Sequence, residues 1–500
     1  MKVLAKLQKN RPPFLVSQLL KLLSGPLFLL IIYSIEMEGM VHGSKIAFGT
    51  LAWMVTWWIL RPAPWGITAL LPLVVFPLSG TLGIVDTAAL YGQRVFFWLM
   101  GLSLLAFALI KHGIAKRFAL AFLTIPGIGD STSRLLFFFM LATACVSMFV
   151  SDGSAVAIML PIGLSIHAYI MTLSGQDISE NNGPRLRTFF ALGTLYAAVS
   201  GGIATLVGMP HSAVAMDQLE TLTGREIGWF TWMSLGVPIF ATLLVCNYFL
   251  LRFFFKPEVE SIPGGRDFLF EERRKLGRMS LGEKSVLSIF LTMAALFVIP
   301  SLLPGILGEE NAFSIWVDNA ISIWMVPPFV MLLLFIAPSN LQKHEFVLDW
   351  KEANEHISWG VLLMVTSAIA VVQALSSFGF TEVLAQYIRD ASVPAYGLPY
   401  VTGLATSIST NFMSGVAAAA LITAVMVPVA ETVNFSTVAI TIMVPATAMG
   451  IVFPWAGPTV GTAFGISNIE LKDLIRVGIV AEIIMIIVAG TYCLLIGPFL

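Results

Sequence analysis

The sequence predicts an all-α, polytopic membrane protein made of two similar halves of inverted topology, each holding a re-entrant hairpin and a broken helix. Composition is the first observation behind this. Of 500 residues, 57% are hydrophobic and only 11% charged, and the mean hydropathy is +0.88. A soluble chain of this length needs far more polar surface. The second observation is a polar interruption at membrane depth, where Ser147-Met-Phe-Val-Ser151-Asp152-Gly153 ends one apolar stretch and begins the next. The third is its recurrence as Thr410-Asn411-Phe412-Met413-Ser414-Gly415-Val416. Polar groups and irregular backbone persist in hydrocarbon only where protein encloses them, so paired breaks point to one shared site near the midplane.

With about 20 apolar residues per span, helices are expected near 14–35, 46–61, 65–80, 134–150, 154–174, 187–206, 228–255, 284–304, 321–337, 393–411, 414–433, 437–453 and 474–496. Trp98–Ala119 and Trp359–Ala385 are apolar but carry small residues in the middle, as hairpins do that enter and leave on one side. Lys2, Lys6, Lys9 and Arg11 precede the first span. That span is too long for a secretory leader and lacks a small-residue cleavage site, so it reads as a retained helix. The longest polar connection, Lys256–Lys284, contains Arg266, Arg273, Arg274, Lys275 and Arg278. The positive-inside rule puts it and the N-terminus in the cytoplasm of a protein of the plasma (inner) membrane. Within it, Phe268–Leu276 reads equally as an amphipathic surface helix or a solvated charge run.

Three features recur in one order. His112-Gly113 at the end of one hairpin matches Phe378-Gly379, 266 residues later. Ser151 matches Ser414 after 263 residues, and Gly208-Met-Pro210-His211 matches Ala456-Gly-Pro458-Thr459 after 248. The near-constant offset divides the chain into N-terminal scaffold helices (1–84), a first repeat (85–255), a linker with scaffold helices (256–344) and a second repeat (345–500).

Other classes fit poorly. The formal net charge is −1 and basic residues sit in connections, so nucleic acid is not an expected partner; membrane lipid is. Cys145, Cys246 and Cys493 lie in apolar runs without ligand spacing and read as small buried hydrophobes. An enzyme needs convergent titratable groups, whereas intramembrane charge reads as nearly confined to Asp152. A channel needs a continuous polar pore, whereas paired local breaks favour a secondary transporter.

At the breaks, hydroxyl and carbonyl oxygens beside a carboxylate suit a hard cation such as sodium, with half-helix ends aimed at the cavity. Asp152 has several open readings: neutralised by sodium, carrying a proton, pairing with the amine of a zwitterion such as an amino sulfonate, or capping the helix that starts near Ser154. His211 reads either as a titrating group in the first loop or as a structural one. Asn411 either supplies an amide to the site or bonds a neighbouring helix.

These residues resemble the divalent anion/sodium symporter family, carriers of dicarboxylates, citrate or sulfate. Its members mark each half with Ser-Asn-Thr at the break and a Thr-Pro-Pro-like loop beyond. The resemblance covers roughly 45–500, including Leu276–Lys284 and Trp350–Gly360. It implies a homodimer working as an elevator, symporting a small anion with sodium. By that resemblance, Ser147, Ser151 and Asp152 with backbone near Gly208 hold one sodium. Thr410, Ser414 and Gly415 with backbone near Ala456 hold a second. Gly153 and Val416, with Pro210 and Pro458, face the substrate. Ser151, Asp152, Ser414 and Gly415 of the two breaks, and His211 and Thr459 beside the prolines, are also expected to border it. The triplets depart from the family's pattern: Ser-Asp-Gly and Ser-Gly-Val have lost both asparagines and both threonines. An amide donates to an anion and an ionised carboxylate does not. The first cation site is therefore expected to persist, and the second to be weakened at Gly415.

Overall fold

A computed structural model describes residues 14–36, 39–125, 131–173, 184–260, 265–308, 310–380, 383, 386, 394–467 and 469–500. The chain divides into two units, Met1–Phe96 with Ser358–Ser392, and Phe97–Ile357 with Val393–Leu500. In chain order the helices are α1 (Phe14–Ser34), α2 (His42–Leu60), α3 (Trp65–Thr68), α4 (Leu71–Ser79), α5 (Ile84–Ala89), α6 (Arg94–Lys111) and α7 (Ile114–Leu123). Then come α8 (Thr132–Ser147), α9 (Asp152–Leu173), α10 (Pro184–Gly202), α11 (Pro210–Thr223) and α12 (Trp229–Phe254). The middle holds α13 (Gly265–Lys275), α14 (Leu281–Leu307), α15 (Ala312–Ala320) and α16 (Val326–Ile336), then a hairpin of β1 (Pro338–Asn340) and β2 (Glu345–Phe346). The rest is α17 (Trp350–His356), α18 (Trp359–Ser377), α19 (Leu398–Phe412), α20 (Gly415–Thr432), α21 (Thr437–Thr447), α22 (Pro458–Ser467) and α23 (Leu471–Ile496). Among the described residues, eight helical stretches are long and apolar enough to cross a membrane.

In the first unit, α1 packs along α2, and α18 packs on α2 and α3. The expected span 65–80 is split into α3 and α4 because Pro72, at the start of α4, has no amide hydrogen to continue a helix. α18 ends in a turn at Gly379, whose φ of 73° suits glycine. Thr381, Glu382, Leu384 and Ala385 of the expected second hairpin lie outside the described residues.

The second unit carries both breaks. α6 turns into α7 through Gly113, at φ 76°, the partner of Gly379 in the sequence repeat. α8 stops at Ser147 and α9 starts at Asp152; α19 stops at Phe412 and α20 starts at Gly415. α10 packs on α8, α9 and α12, as α21 packs on α19, α20 and α23. Exposed apolar stripes run at helical spacing on α12 (Val245, Phe249, Phe253), α19 (Val401, Leu404, Ile408) and α23 (Ile479, Ile483, Ile487).

The expected spans 187–206 and 437–453 end early, at Gly202 and Thr447. Beyond them, 203–209 and 448–457 are irregular though largely apolar, and hydropathy does not tell a buried loop from a buried helix. Such backbone needs partners inside the protein. Thr205 Oγ1 donates to the Met148 carbonyl and accepts from the amides of Val207 and Gly208. In the later segment, Glu482 and Asn411 accept from the amides of Ile451 and Val452.

The polar connection folds as α13, which lies on α7 with Leu269 only 1% exposed and Phe268 stacked on Tyr169. Its apolar side is therefore spent on the protein itself. Arg117 of α7 donates to Glu283 at 2.8 Å and to the carbonyls of Leu276 and Gly277. Arg117→Ala leaves a well-covered carboxylate and two carbonyls without their donors, and is expected to cost about 2 kcal/mol. A melting temperature within 1 °C of wild type would refute that, since ~2 kcal/mol shifts a chain of this size by more.

Candidate functional site

Each break meets the loop of the opposite half. Asp152, the first residue of α9, is half-buried; its Oδ1 accepts from the Gly153 amide at 2.8 Å, and its Oδ2 accepts from Thr459 Oγ1 at 3.1 Å. Thr459 is the second residue of α22, so one side chain joins two helix starts. A Cβ on Gly153 would stand 3.3 Å from that same hydroxyl. In the other half, a Cβ on Gly415, first residue of α20, would stand 3.3 Å from Cε1 and 3.4 Å from Nδ1 of His211, second residue of α11. The four positions are the repeat partners 152/415 and 211/459. Reciprocal packing of α9 on α22 and of α11 on α20 carries them.

Proline explains the local geometry. Pro210 and Pro458 each open a helix, where a missing amide hydrogen costs nothing. The residue after each proline then lies in the first turn, pointing toward the facing helix start. His211 is 7% exposed, and among the described residues neither ring nitrogen has a hydrogen-bond partner. Asp152 is near enough to interact with it electrostatically, which brings both pairs into one neighbourhood.

The oxygen sets expected for cations are partly assembled. Ser147 Oγ donates to the Ala198 carbonyl at 2.6 Å, and a Cβ on Gly208 would lie 2.7 Å from the Ser147 carbonyl oxygen. In the second half, the Thr410 carbonyl and the Ala456 methyl crowd Gly450, and the Ala448 carbonyl oxygen stands 2.5 Å from a Cβ on Gly415. Thr410 Oγ1 donates to the Ser407 carbonyl. Ser151 Oγ donates to Ser154 Oγ, and Ser414 Oγ accepts from the Ala417 amide as the cap of α20. Val416 is buried and its side chain brings no polar atom.

One result decides between the two readings of Asn411, in favour of the bond to a neighbouring helix, and a second corrects the sequence reading. Asn411 does not face the site: its amide donates to Glu482 Oε1 at 2.7 Å and to the Ser407 carbonyl, and its oxygen accepts from Val452 N. Nor is buried charge nearly confined to Asp152, since Glu482 on α23 is 8% exposed and Asp217 on α11 is 1% exposed. The signal was a lone acid within Ile-Val-Ala-Glu482-Ile-Ile; its partners Ser407 and Asn411 lie 75 and 71 positions away.

Solved structures with this fold include MtrF of Neisseria gonorrhoeae, from a class of antimetabolite efflux pumps (TM-score 0.57, 12% identity, covering 93% of this chain and 97% of that one). The YdaH transporter of Alcanivorax borkumensis is similar (TM-score 0.54, 12% identity, covering 97% and 98%). At that identity they speak for the fold alone, that of a multi-pass membrane transporter. The family follows from sequence: residues 17–500 match the sodium:sulfate symporter transmembrane region, and the chain belongs to this family. Relatives include the sodium-dependent dicarboxylate transporters SdcS of Staphylococcus saprophyticus, 30% identical over 488 residues (96% of this chain, 92% of that protein), and of Staphylococcus aureus, 29% identical over 491 residues (96% and 92%). The chain is thus a secondary transporter and not an enzyme.

Proposed function

We propose that this transporter carries a small dianion, of the dicarboxylate or sulfate class, together with sodium across the plasma membrane. The carrying observation is that the two halves of the site differ in chemistry. Around Asp152 and Thr459 there is a carboxylate with hydroxyl oxygens, which suits a cation. Around His211 and Gly415 there is an unpartnered imidazole between the N-termini of α11 and α20, which suits an anion. Ser147, Ser151, Asp152 and the backbone at Gly208 hold the first sodium. Gly153, Pro210, His211, Gly415, Pro458 and Thr459 border the substrate. The sodium-dependent dicarboxylate relatives support this cargo.

The recurrent features and reciprocal packing support inverted repeats, with α6–α7 as the first hairpin and α18, ending in the turn at Gly379, as the described part of the second. The family resemblance supports a homodimer that moves its transport part as an elevator, with the N-terminus cytoplasmic. In proteoliposomes, succinate uptake is expected to need an inward sodium gradient and to be lost when potassium replaces sodium. Equal uptake in both salts would exclude sodium coupling.

A further inference from the structure

Glu482 lies near the middle of the membrane-spanning stretch Leu471–Phe499. Among the described residues its hydrogen-bond partners all offer it a donor: Ser407 Oγ at 2.6 Å, Asn411 Nδ2 at 2.7 Å and the Ile451 amide at 3.2 Å. Such a set suits an ionised carboxylate, and no Lys or Arg pairs with it among the described residues. Ionised in so buried a place, the carboxylate needs a cation nearby; without one it takes a proton. Its contacts point to where. Asn411 follows Thr410 and Ile451 follows Gly450, and the Thr410 carbonyl crowds Gly450. Glu482 therefore ties the end of α19 to the loop 448–457, one residue beyond Thr410 and three beyond Ala448, whose carbonyls offer oxygen but no charge.

Repeat geometry sharpens this. Gly236 of α12 packs on the Ile203 carbonyl as Gly478 of α23 packs on the Ile451 carbonyl, so Glu482 corresponds to Phe240. The first half has its carboxylate in the break, at Asp152, and none on the flanking helix. In the second half the break residue is Gly415, and the carboxylate stands on the flanking helix.

We propose that Glu482 is the positioning residue and fixed counter-charge of a second sodium site at Thr410, Ser414, Ala448 and Ala456, in place of the side chain absent at Gly415. The inference rests on the sodium-coupled reading above. It replaces the expectation of a weakened second site.

The test measures sodium dependence, against potassium at constant ionic strength, of both thermal unfolding and succinate uptake. Wild type is expected to give a Hill coefficient above one. Glu482→Gln, which keeps the shape, should raise the sodium midpoint about tenfold and bring the Hill coefficient to one. The double variant Asn411→Asp/Glu482→Gln, which moves the charge across one hydrogen bond, should restore both. Glu482→Gln with wild-type midpoint and cooperativity overturns the proposal. If Glu482→Gln does not fold, the double variant decides: a cooperative sodium response supports the site, and a non-cooperative one overturns it. Wild type indifferent to sodium would instead remove the sodium-coupled reading itself.

Discussion

Asp152→Asn is expected to raise the sodium concentration for half-maximal uptake at least tenfold while leaving anion transport in place. Asparagine keeps an oxygen for the Gly153 amide, and the Thr459 hydroxyl rotates to accept from the new amide, so the join between α9 and α22 survives. What disappears is the charge. A monovalent cation about 4 Å from a carboxylate gains on the order of 4 kcal/mol at an effective dielectric near 20 and about 1 in water. Half-buried Asp152 stands between these limits, and about 1.4 kcal/mol is already tenfold. The same variant separates the other ways of neutralising a carboxylate beside a dianion. If a proton does it, uptake loses its pH dependence and keeps its sodium midpoint. If a substrate amine does it, zwitterion uptake collapses and simple dianions gain. Unchanged sodium midpoint, pH profile and selectivity would reduce Asp152 to a link between helix starts.

The breaks at Ser147–Asp152 and Phe412–Gly415 were legible in the sequence because a polar cluster inside an apolar run is costly in hydrocarbon unless protein encloses it. The turn glycines 113 and 379 were legible for a similar reason, each closing an apolar stretch at the same repeat offset. The prolines 210 and 458 marked where the loops 203–209 and 448–457 finish, but not where they begin, because their residues are as apolar as those of the helices before them. Only the hydrogen bonds of Thr205, Asn411 and Glu482 reveal that the backbone there has left the helix. The pairing of Asp152 with Thr459 and of Gly415 with His211 was equally hidden. It depends on which half meets which loop, and a repeat pattern read along one chain does not give that crossing. Once the crossing is known, the missing asparagine at Gly415 has a physical reason. The Ala448 carbonyl and the His211 ring occupy the room a side chain would need.

That crowding makes His211 and Gly415 one unit, and their variants should behave so. His211→Ala is expected to raise KM for succinate roughly 10- to 100-fold, the value of about one or two hydrogen bonds to a charged group, with little change in kcat. Because neither ring nitrogen has a partner among the described residues, the loss should fall on substrate affinity more than on the fold. His211→Asn, which retains a donor, should recover part of it. Gly415→Ala puts a methyl 2.5 Å from the Ala448 carbonyl oxygen and 3.3 Å from the imidazole, so it should abolish uptake in the wild-type background. Adding His211→Ala relieves the second contact but not the first. The double variant should therefore recover stability in part, the two changes coupling by about 0.5 kcal/mol or more, as neighbours of this closeness do. Additive effects on melting temperature, together with an unchanged KM in His211→Ala, would assign the imidazole to packing and leave the anion to the helix N-termini alone.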